Sequence, residues 1–197
     1  MKIPTSLVQT LRQRTMAQVS WCKEALEQSQ GDLDQAVQIL RKRGINSADV
    51  RSDKVASQGI IYTYSHGDGR IGVMIEMNCE TDFVARHADF KQLVRTIAMH
   101  IAWANPSCVN IEDLDKGRLS AETKIIEEGI PAEKSKIAPQ IIKGRLGKFY
   151  KQECLMEQDE IQFYEGKMTI GQLVKEFSAK VGEKIILRRF VRYQVGL

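Results

Sequence analysis

The chain passes from strand to helix within one stretch, Ile71-Gly72-Val73-Met74-Ile75-Glu76-Met77-Asn78-Cys79-Glu80-Thr81-Asp82-Phe83-Val84. Its first seven residues are mostly apolar and predict a largely buried strand. A long amphipathic helix is predicted next, because apolar residues recur at helical spacing at Phe90, Leu93, Val94, Ile97, Ala98 and Ile101. Between them, residues 81–84, here called the corner, place a carboxylate beside a large aromatic ring. Such a corner projects side chains outward, which predicts a wedge that another protein could receive.

Two further strands are predicted to complete a sheet with residues 71–77. Residues 60–64 form a hairpin with residues 71–77, since the connection at 65–70 is polar and glycine-rich. A last strand is predicted at 185–195, where the odd-numbered positions are mostly apolar. Helices occupy the chain between these strands. The pattern therefore predicts an α+β fold, with a core of antiparallel three-stranded sheet packed with helices.

The long connection to the last strand is predicted to be helical but irregular. Residues 110–157 carry scattered apolar anchors, and we expect Pro131, Pro139, Gly144 and Gly147 to divide them into short pieces. Thr169 and Gln172 have the spacing of a capping box, which predicts a short helix that begins there.

The first fifty residues carry three short apolar stripes of helical period, which predict a small three-helix bundle. Thr15 with Gln18 and Asp32 with Gln35 have capping-box spacing, and Gly44 is expected to end the third helix. The pattern then lapses into polar residues. We therefore predict a helical domain at 1–45, a linker at 46–57 and an α+β core domain at 58–197.

Composition excludes several classes of protein. The chain has 197 residues with 43% hydrophobic and 27% charged, as ordinary globular proteins do. No apolar run approaches the roughly 20 residues that span a bilayer, and the first residues lack the apolar stretch of a secretory signal. The four cysteines show no paired spacing, which favours reduced thiols in the cytoplasm over disulfides or zinc. The net charge of +4 is too small to require nucleic acid.

Motifs for catalysis are weak. Gly67, Gly69 and Gly72 match the letters of a dinucleotide signature, but they precede a predicted strand, so a flexible hairpin turn explains them better. The histidines His66, His87 and His100 show neither metal spacing nor a partner set for a nucleophile. An enzyme is therefore not expected, and neither is a bound metal.

Residues 78–86, Asn-Cys-Glu-Thr-Asp-Phe-Val-Ala-Arg, resemble the hallmark of the elongation factor Ts family. That family is the guanine-nucleotide exchange factor for the translational GTPase elongation factor Tu. Further segments look like family segments, at 97–102, 143–146, 169–173, 182–185 and 188–190. The N-terminal bundle resembles a ubiquitin-associated (UBA) domain, on residues 31–37. The chain departs from the family pattern at 15–22, where it reads Thr-Met-Ala-Gln-Val-Ser-Trp-Cys.

The resemblance implies a mechanism and a set of contact residues. The corner would enter elongation factor Tu–GDP near its magnesium ion and disturb that site through Thr81, Asp82, Phe83 and Val84. Further contacts would come from Arg12, Val19, Ser20 and His100. The resemblance implies elongation factor Tu as the partner and the cytoplasm as the location, and it allows a homodimer. No cofactor, membrane or direct nucleic-acid contact is expected.

Other interpretations stay open at this point. Thr81 or Asp82 could simply cap a helix, with Phe83 tucked into the core as a staple. His100 could be a partly buried boundary residue. The UBA-like bundle could make the chain a peptide- or ubiquitin-binding adaptor. Arg188, Arg189 and Arg192, interleaved with aromatics, could make it an RNA-associated translation protein, although a solvated edge strand has the same composition.

Overall fold

The computed structural model describes residues 3–15, 17–48, 54–131, 133, 137–160 and 168–196. It confirms the predicted α+β class: three N-terminal helices precede a three-stranded antiparallel sheet packed with helices. The helices and strands in chain order are α1 (Thr5–Thr15), α2 (Val19–Gln28), α3 (Leu33–Ala48), β1 (Gln58–His66), β2 (Ile71–Cys79), α4 (Asp82–Arg86), α5 (Ala88–Ala104), α6 (Lys116–Glu128), α7 (Ala138–Glu153), α8 (Ile170–Val181) and β3 (Ile186–Gln194).

The three N-terminal helices bury the predicted apolar stripes against one another. Their shared core is made by Val8, Leu11, Ala17, Trp21, Cys22, Ala25, Leu26, Ala36 and Leu40. The Asp32 side chain accepts hydrogen bonds from the backbone of Asp34 and Gln35, so the predicted cap of α3 is present.

Two predicted boundaries in this bundle are wrong. Thr15 does not cap α2; it ends α1, where its hydroxyl donates to the Leu11 carbonyl, and Gln18 at the start of α2 makes no side-chain cap. Gly44 does not end α3, which continues to Ala48. A glycine inside a helix costs only about 1 kcal/mol, which neighbouring residues of the helix can offset.

The sheet has the order β1-β2-β3, with β2 in the middle. Its inward positions are the alternate residues Val73, Ile75, Met77 and Cys79, all buried, as a period of two requires. In β3, Leu187 is buried, whereas Val191 and Tyr193 are exposed. The predicted odd-numbered apolar face of β3 therefore does not continue along the whole strand.

The helix α5 follows the predicted stripe closely. Phe90, Val94, Ile97 and Ile101 are buried along its length, and the Phe90 ring lies 6.0 Å from the Phe177 ring of α8. The connection at 110–157 is more regular than predicted. Gly144 and Gly147 lie inside α7 without breaking it, and Pro139 lies in its first turn, where a missing N–H costs nothing.

Contacts divide the chain into two compact units. The first contains residues 1–62, 75–95 and 173–188, and the second contains residues 63–74, 96–172 and 189–197. Residues 49–53, in the predicted linker, lie outside the described residues, so the predicted domain boundaries stay a prediction. Within the described part of the chain, no helix is both long and apolar enough to cross a membrane.

Candidate partner-binding site

The corner begins with Thr81, which is the N-cap of α4. Thr81 has extended backbone angles, and its hydroxyl oxygen accepts a hydrogen bond from the Val84 amide at 3.4 Å. This is the arrangement that makes threonine favourable before a helix, because it satisfies an amide that has no partner in the helix. Of the two capping residues that the sequence left open, the structure selects Thr81.

Thr81 is also held from outside α4 by the carboxylate of Glu183. The Thr81 amide donates to Glu183 Oε2 at 3.0 Å, and the Thr81 hydroxyl donates to Glu183 Oε1 at 2.7 Å. The Cys79 thiol donates to the Thr81 carbonyl at 3.1 Å. Burial, with a contribution from the Glu183 charge, raises the pKa of Cys79 to about 11, so the thiol keeps the proton that it donates.

Phe83 extends from α4 toward solvent. Its side chain is 53% exposed, so it is not the core staple that the sequence allowed. The guanidinium of Arg12 lies over the ring, 4.2 Å from its centroid. This cation–π contact brings together two residues that the sequence proposed as separate contacts.

The other two corner residues differ sharply in exposure. Asp82 is exposed and pairs with Arg86 one turn later, at 2.8 Å. Val84 is only 2% exposed and packs into the core together with Ala85. Asp82 and Phe83 are therefore presented outward, while Val84 anchors the short helix from inside.

Residues 15–22, which depart from the family pattern, have an outer and an inner face. Val19 and Ser20 are exposed at the start of α2. Trp21 is buried, and the Gln18 side-chain amide donates to the Gly182 carbonyl at 3.1 Å. A Cβ added at Gly182 would lie 2.8 Å from the Trp21 ring, so the ring is closely packed on that residue.

His100 is a buried residue of α5, only 5% exposed. The Gln158 amide nitrogen donates to the Gln152 carbonyl, which leaves Gln158 Oε1 to accept from His100 Nε2 at 2.9 Å. His100 Nδ1 is buried without a hydrogen-bond partner among the described residues. Burial lowers the pKa of His100, because protonation would place an unpaired N–H there. Its proposed partner contact stays a prediction, and one that requires the side chain to become accessible.

Comparison with known proteins gives one family. The family model described as elongation factor TS matches residues 5–197. The elongation factor Ts of Moorella thermoacetica is 46% identical over 194 residues, which are 96% of this chain and 93% of the relative. That of Syntrophus aciditrophicus is 45% identical over 198 residues, 100% of this chain and 98% of the relative. That of Solibacter usitatus is 46% identical over 200 residues, which are 99% of this chain and 92% of the relative.

The chain belongs to the elongation factor Ts family. As an elongation factor Ts it is a nucleotide exchange factor for elongation factor Tu and not a catalytic enzyme, and its family implies elongation factor Tu as the partner. The match includes both the N-terminal helices and the sheet. Neither an adaptor based on the bundle alone nor an RNA-binding strand accounts for a match of that extent.

The residues that hold the corner in place are not apparent from the sequence. Glu183 lies 102 positions from Thr81, and no local pattern connects the two. One signal was available: Gly182-Glu183-Lys184-Ile185 was among the segments that look like the family. The roles of Gln18 and Trp21 were equally hidden, because their contacts are with a turn far along the chain.

Proposed function

We propose that the corner enters elongation factor Tu–GDP near the magnesium ion that bridges the nucleotide phosphates to that protein, and that Phe83 disturbs this site. The observation that carries the proposal is the half-exposed Phe83 ring on a short helix whose N-cap is fixed by Glu183. Asp82, beside it, offers a carboxylate at the same surface. The site needs no cofactor of its own, because the affected cation belongs to the partner.

Linkage explains how such a contact releases GDP. An exchange factor that binds more tightly to GDP-free elongation factor Tu lowers the affinity of elongation factor Tu for GDP. By linkage, GDP lowers the affinity of elongation factor Tu for the exchange factor by the same ratio. Full burial of a Phe contributes about 1.5–3 kcal/mol. Since about half of the Phe83 ring is already covered, its insertion is worth roughly 1 kcal/mol, or somewhat under tenfold in affinity.

That estimate requires a second docking surface. Arg12, Val19 and Ser20 on the N-terminal helices are the candidates, and Val19 and Ser20 are exposed. Arg12 lies on Phe83, so the two surfaces are adjacent within the first unit. Val84 supports the corner from inside, and His100 would contribute only after a movement that exposes it. Location in the cytoplasm, where elongation factor Tu acts, is part of the same proposal.

The test is release of fluorescent GDP from purified elongation factor Tu, followed with and without the chain. Acceleration that saturates with the concentration of the factor would support the proposal. Phe83→Ala should abolish most of it, whereas Ile125→Ala, which removes another exposed apolar side chain on α6, should not. No acceleration by the wild-type chain would rule the proposed function out.

We further propose that the chain forms a homodimer. Met74 of β2 and Val191 and Tyr193 of β3, all in the second unit, are large apolar side chains exposed to solvent. Exposed apolar residues on neighbouring strands are typical of surfaces that another subunit covers. Sedimentation equilibrium should give a mass twice the 22.4 kDa of one chain, and Tyr193→Asp should lower the measured mass toward that of a single chain. A wild-type mass of one chain at high concentration would contradict the dimer.

A further inference from the structure

The turn at residues 182–184 holds the corner through side chains and backbone together. The Glu183 carboxylate accepts from both the amide and the hydroxyl of Thr81. In the reverse direction, the Lys184 amide donates to the Glu80 carboxylate at 2.6 Å. The two segments, 102 to 104 positions apart in sequence, thus exchange hydrogen bonds in both directions.

The turn is itself fixed from behind. Gly182 has φ of +69°, and its carbonyl accepts the Gln18 amide while the Trp21 ring packs against its Cα. The Ser178 hydroxyl donates to the Glu183 carbonyl at 2.5 Å. Glu183 is therefore anchored through its backbone and makes contact with Thr81 through its carboxylate.

Two physical arguments indicate that this contact matters for the corner. First, α4 has five residues, and a helix of this length is not stable alone, so its orientation depends on what holds its ends. Second, Glu183 is only 7% exposed, and a carboxylate removed from water is costly unless hydrogen bonds to the charged form compensate. Thr81, which begins the helix that carries Phe83, supplies two such bonds.

We propose that Glu183 is a positioning residue for nucleotide exchange: by holding Thr81 it sets the orientation in which Phe83 meets elongation factor Tu. The proposal rests on the proposed function of the corner. It assigns Glu183 no contact with the partner. Its effect is therefore on the rate of GDP release within the complex, because the docking surface on the N-terminal helices is left intact.

The maximal release rate and the half-saturating concentration distinguish a positioning residue from a docking contact. Loss of a docking contact raises the concentration of factor needed for half-maximal exchange. Loss of positioning lowers the maximal release rate at saturating factor and leaves that concentration nearly unchanged. Because Glu183 acts through Phe83, its loss can slow release by no more than the loss of the Phe83 insertion itself, which is somewhat under tenfold.

The experiment compares Glu183→Ala, Glu183→Gln and Val94→Ala in stopped-flow release of fluorescent GDP from elongation factor Tu. Val94 is a buried residue of α5 that makes no hydrogen bond to the corner, so it serves as the control for lost stability. Glutamine can still accept from the Thr81 amide while its own amide donates to the Thr81 hydroxyl, so it is the conservative variant.

We expect Glu183→Ala to lower the maximal release rate by about fivefold, close to the loss expected when Phe83 does not insert, with the half-saturating concentration changed by less than about twofold. Glu183→Gln should recover most of the loss, and Val94→Ala should match wild type at saturation. A Glu183→Ala rate equal to that of Val94→Ala, or a change confined to the half-saturating concentration, would overturn the proposal. If Glu183→Ala does not fold, Glu183→Asp carries the same test, because its shorter side chain cannot reach both Thr81 groups.

A second measurement uses the free factor. Amide hydrogen exchange at Thr81 and Val84 should accelerate in Glu183→Ala but not in Val94→Ala, and unchanged exchange at both amides would contradict the holding role. Failure of the wild-type chain to release GDP would remove the proposed function. An active wild type with a Glu183→Ala variant that behaves as the control would remove this inference alone.

Discussion

At the scale of single residues, Phe83 is both restrained and available. The Arg12 guanidinium covers one face of the ring, and about half of the side chain remains in contact with solvent. An exposed cation–π contact contributes only about 0.5–1 kcal/mol, so the ring can leave Arg12 when a better environment is offered. Moving the Phe83 ring therefore costs little free energy, although the contact with Arg12 holds the ring in one orientation before elongation factor Tu binds.

Phe83→Ala should reduce exchange more than it reduces stability. The side chain contributes little to the core, so we expect the free energy of unfolding to fall by no more than about 0.5 kcal/mol, against roughly 1 kcal/mol for exchange. Urea denaturation measures the stability, and GDP release from elongation factor Tu measures exchange. Losses of similar size in both, expressed as free energies, would mean that Phe83 acts mainly within its own fold.

Thr81 and Asp82 are adjacent, but truncation of Thr81 should cost much more stability than truncation of Asp82. Thr81→Ala removes an N-cap and leaves the buried Glu183 carboxylate without its hydroxyl donor, which should cost about 1–3 kcal/mol of stability. Asp82→Ala removes only an exposed ion pair with Arg86 and should cost less than about 0.5 kcal/mol.

Urea unfolding midpoints of the two variants decide this, and Arg86→Ala is the matched control, since it breaks the same ion pair as Asp82→Ala. Asp82→Ala should nevertheless slow GDP release, whereas Arg86→Ala should not. A larger loss of stability in Asp82→Ala than in Thr81→Ala would show that the cap has been assigned to the wrong residue.

At the scale of elements, the sequence predicted the strands and the long helix well, because their patterns are local. The apolar run over residues 71–77 predicts a strand, and the helical stripe from Phe90 specifies which face of α5 is buried, both without reference to the rest of the chain. The exposure of Met74 within that run was not predicted. Helix ends were predicted less well. Gly44, Gly144 and Gly147 do not end helices here, because neighbouring helical residues outweigh the modest cost of glycine.

The support of the corner could not be predicted from local patterns, since it depends on pairs distant in sequence. Thr81 with Glu183, and Gln18 and Trp21 with Gly182, are brought together only by the folded first unit. The sequence placed Phe83 at a corner but could not show that Arg12 would cover it. Burial of His100 was underestimated for the same reason, because its hydrogen-bond partner Gln158 lies 58 positions away in sequence.

The turn between α8 and β3 depends on the small size of Gly182. Gly182→Ala would add a methyl group 2.8 Å from the Trp21 ring at a φ of +69°, which is unfavourable for any residue with a Cβ. We expect a loss of about 1–3 kcal/mol in stability. Because the turn carries Glu183, GDP release should slow as well.

In a Trp103→Phe background, where Trp21 is the remaining tryptophan, fluorescence would report the change at Trp21, and urea denaturation would measure its cost. The matched control is Gly67→Ala, at another glycine with positive φ, where an added Cβ meets nothing within 4 Å. Equal losses at both glycines would mean that backbone strain alone, without the Trp21 contact, accounts for the effect.

For the whole molecule, the buried imidazole of His100 makes stability depend on pH. Its folded-state pKa lies below the unfolded value of 6.5, because burial disfavours the charged form. The unfolded chain therefore binds a proton at a higher pH than the folded chain does. Stability from this group is fully present above pH 6.5 and is lost as the pH falls from there toward the folded-state pKa, with a slope of at most about 1.4 kcal/mol per pH unit.

His100→Gln should remove this dependence, since glutamine can donate to Gln158 but does not titrate in this range. We expect the urea midpoint of the wild type to fall more steeply than that of His100→Gln between pH 7 and pH 5. Every other titrating group is common to both proteins, so the difference between the two curves isolates His100. Parallel curves would show that the imidazole is protonated as easily in the folded chain as in the unfolded one. That result would require an acceptor for the buried Nδ1, which the described residues do not provide.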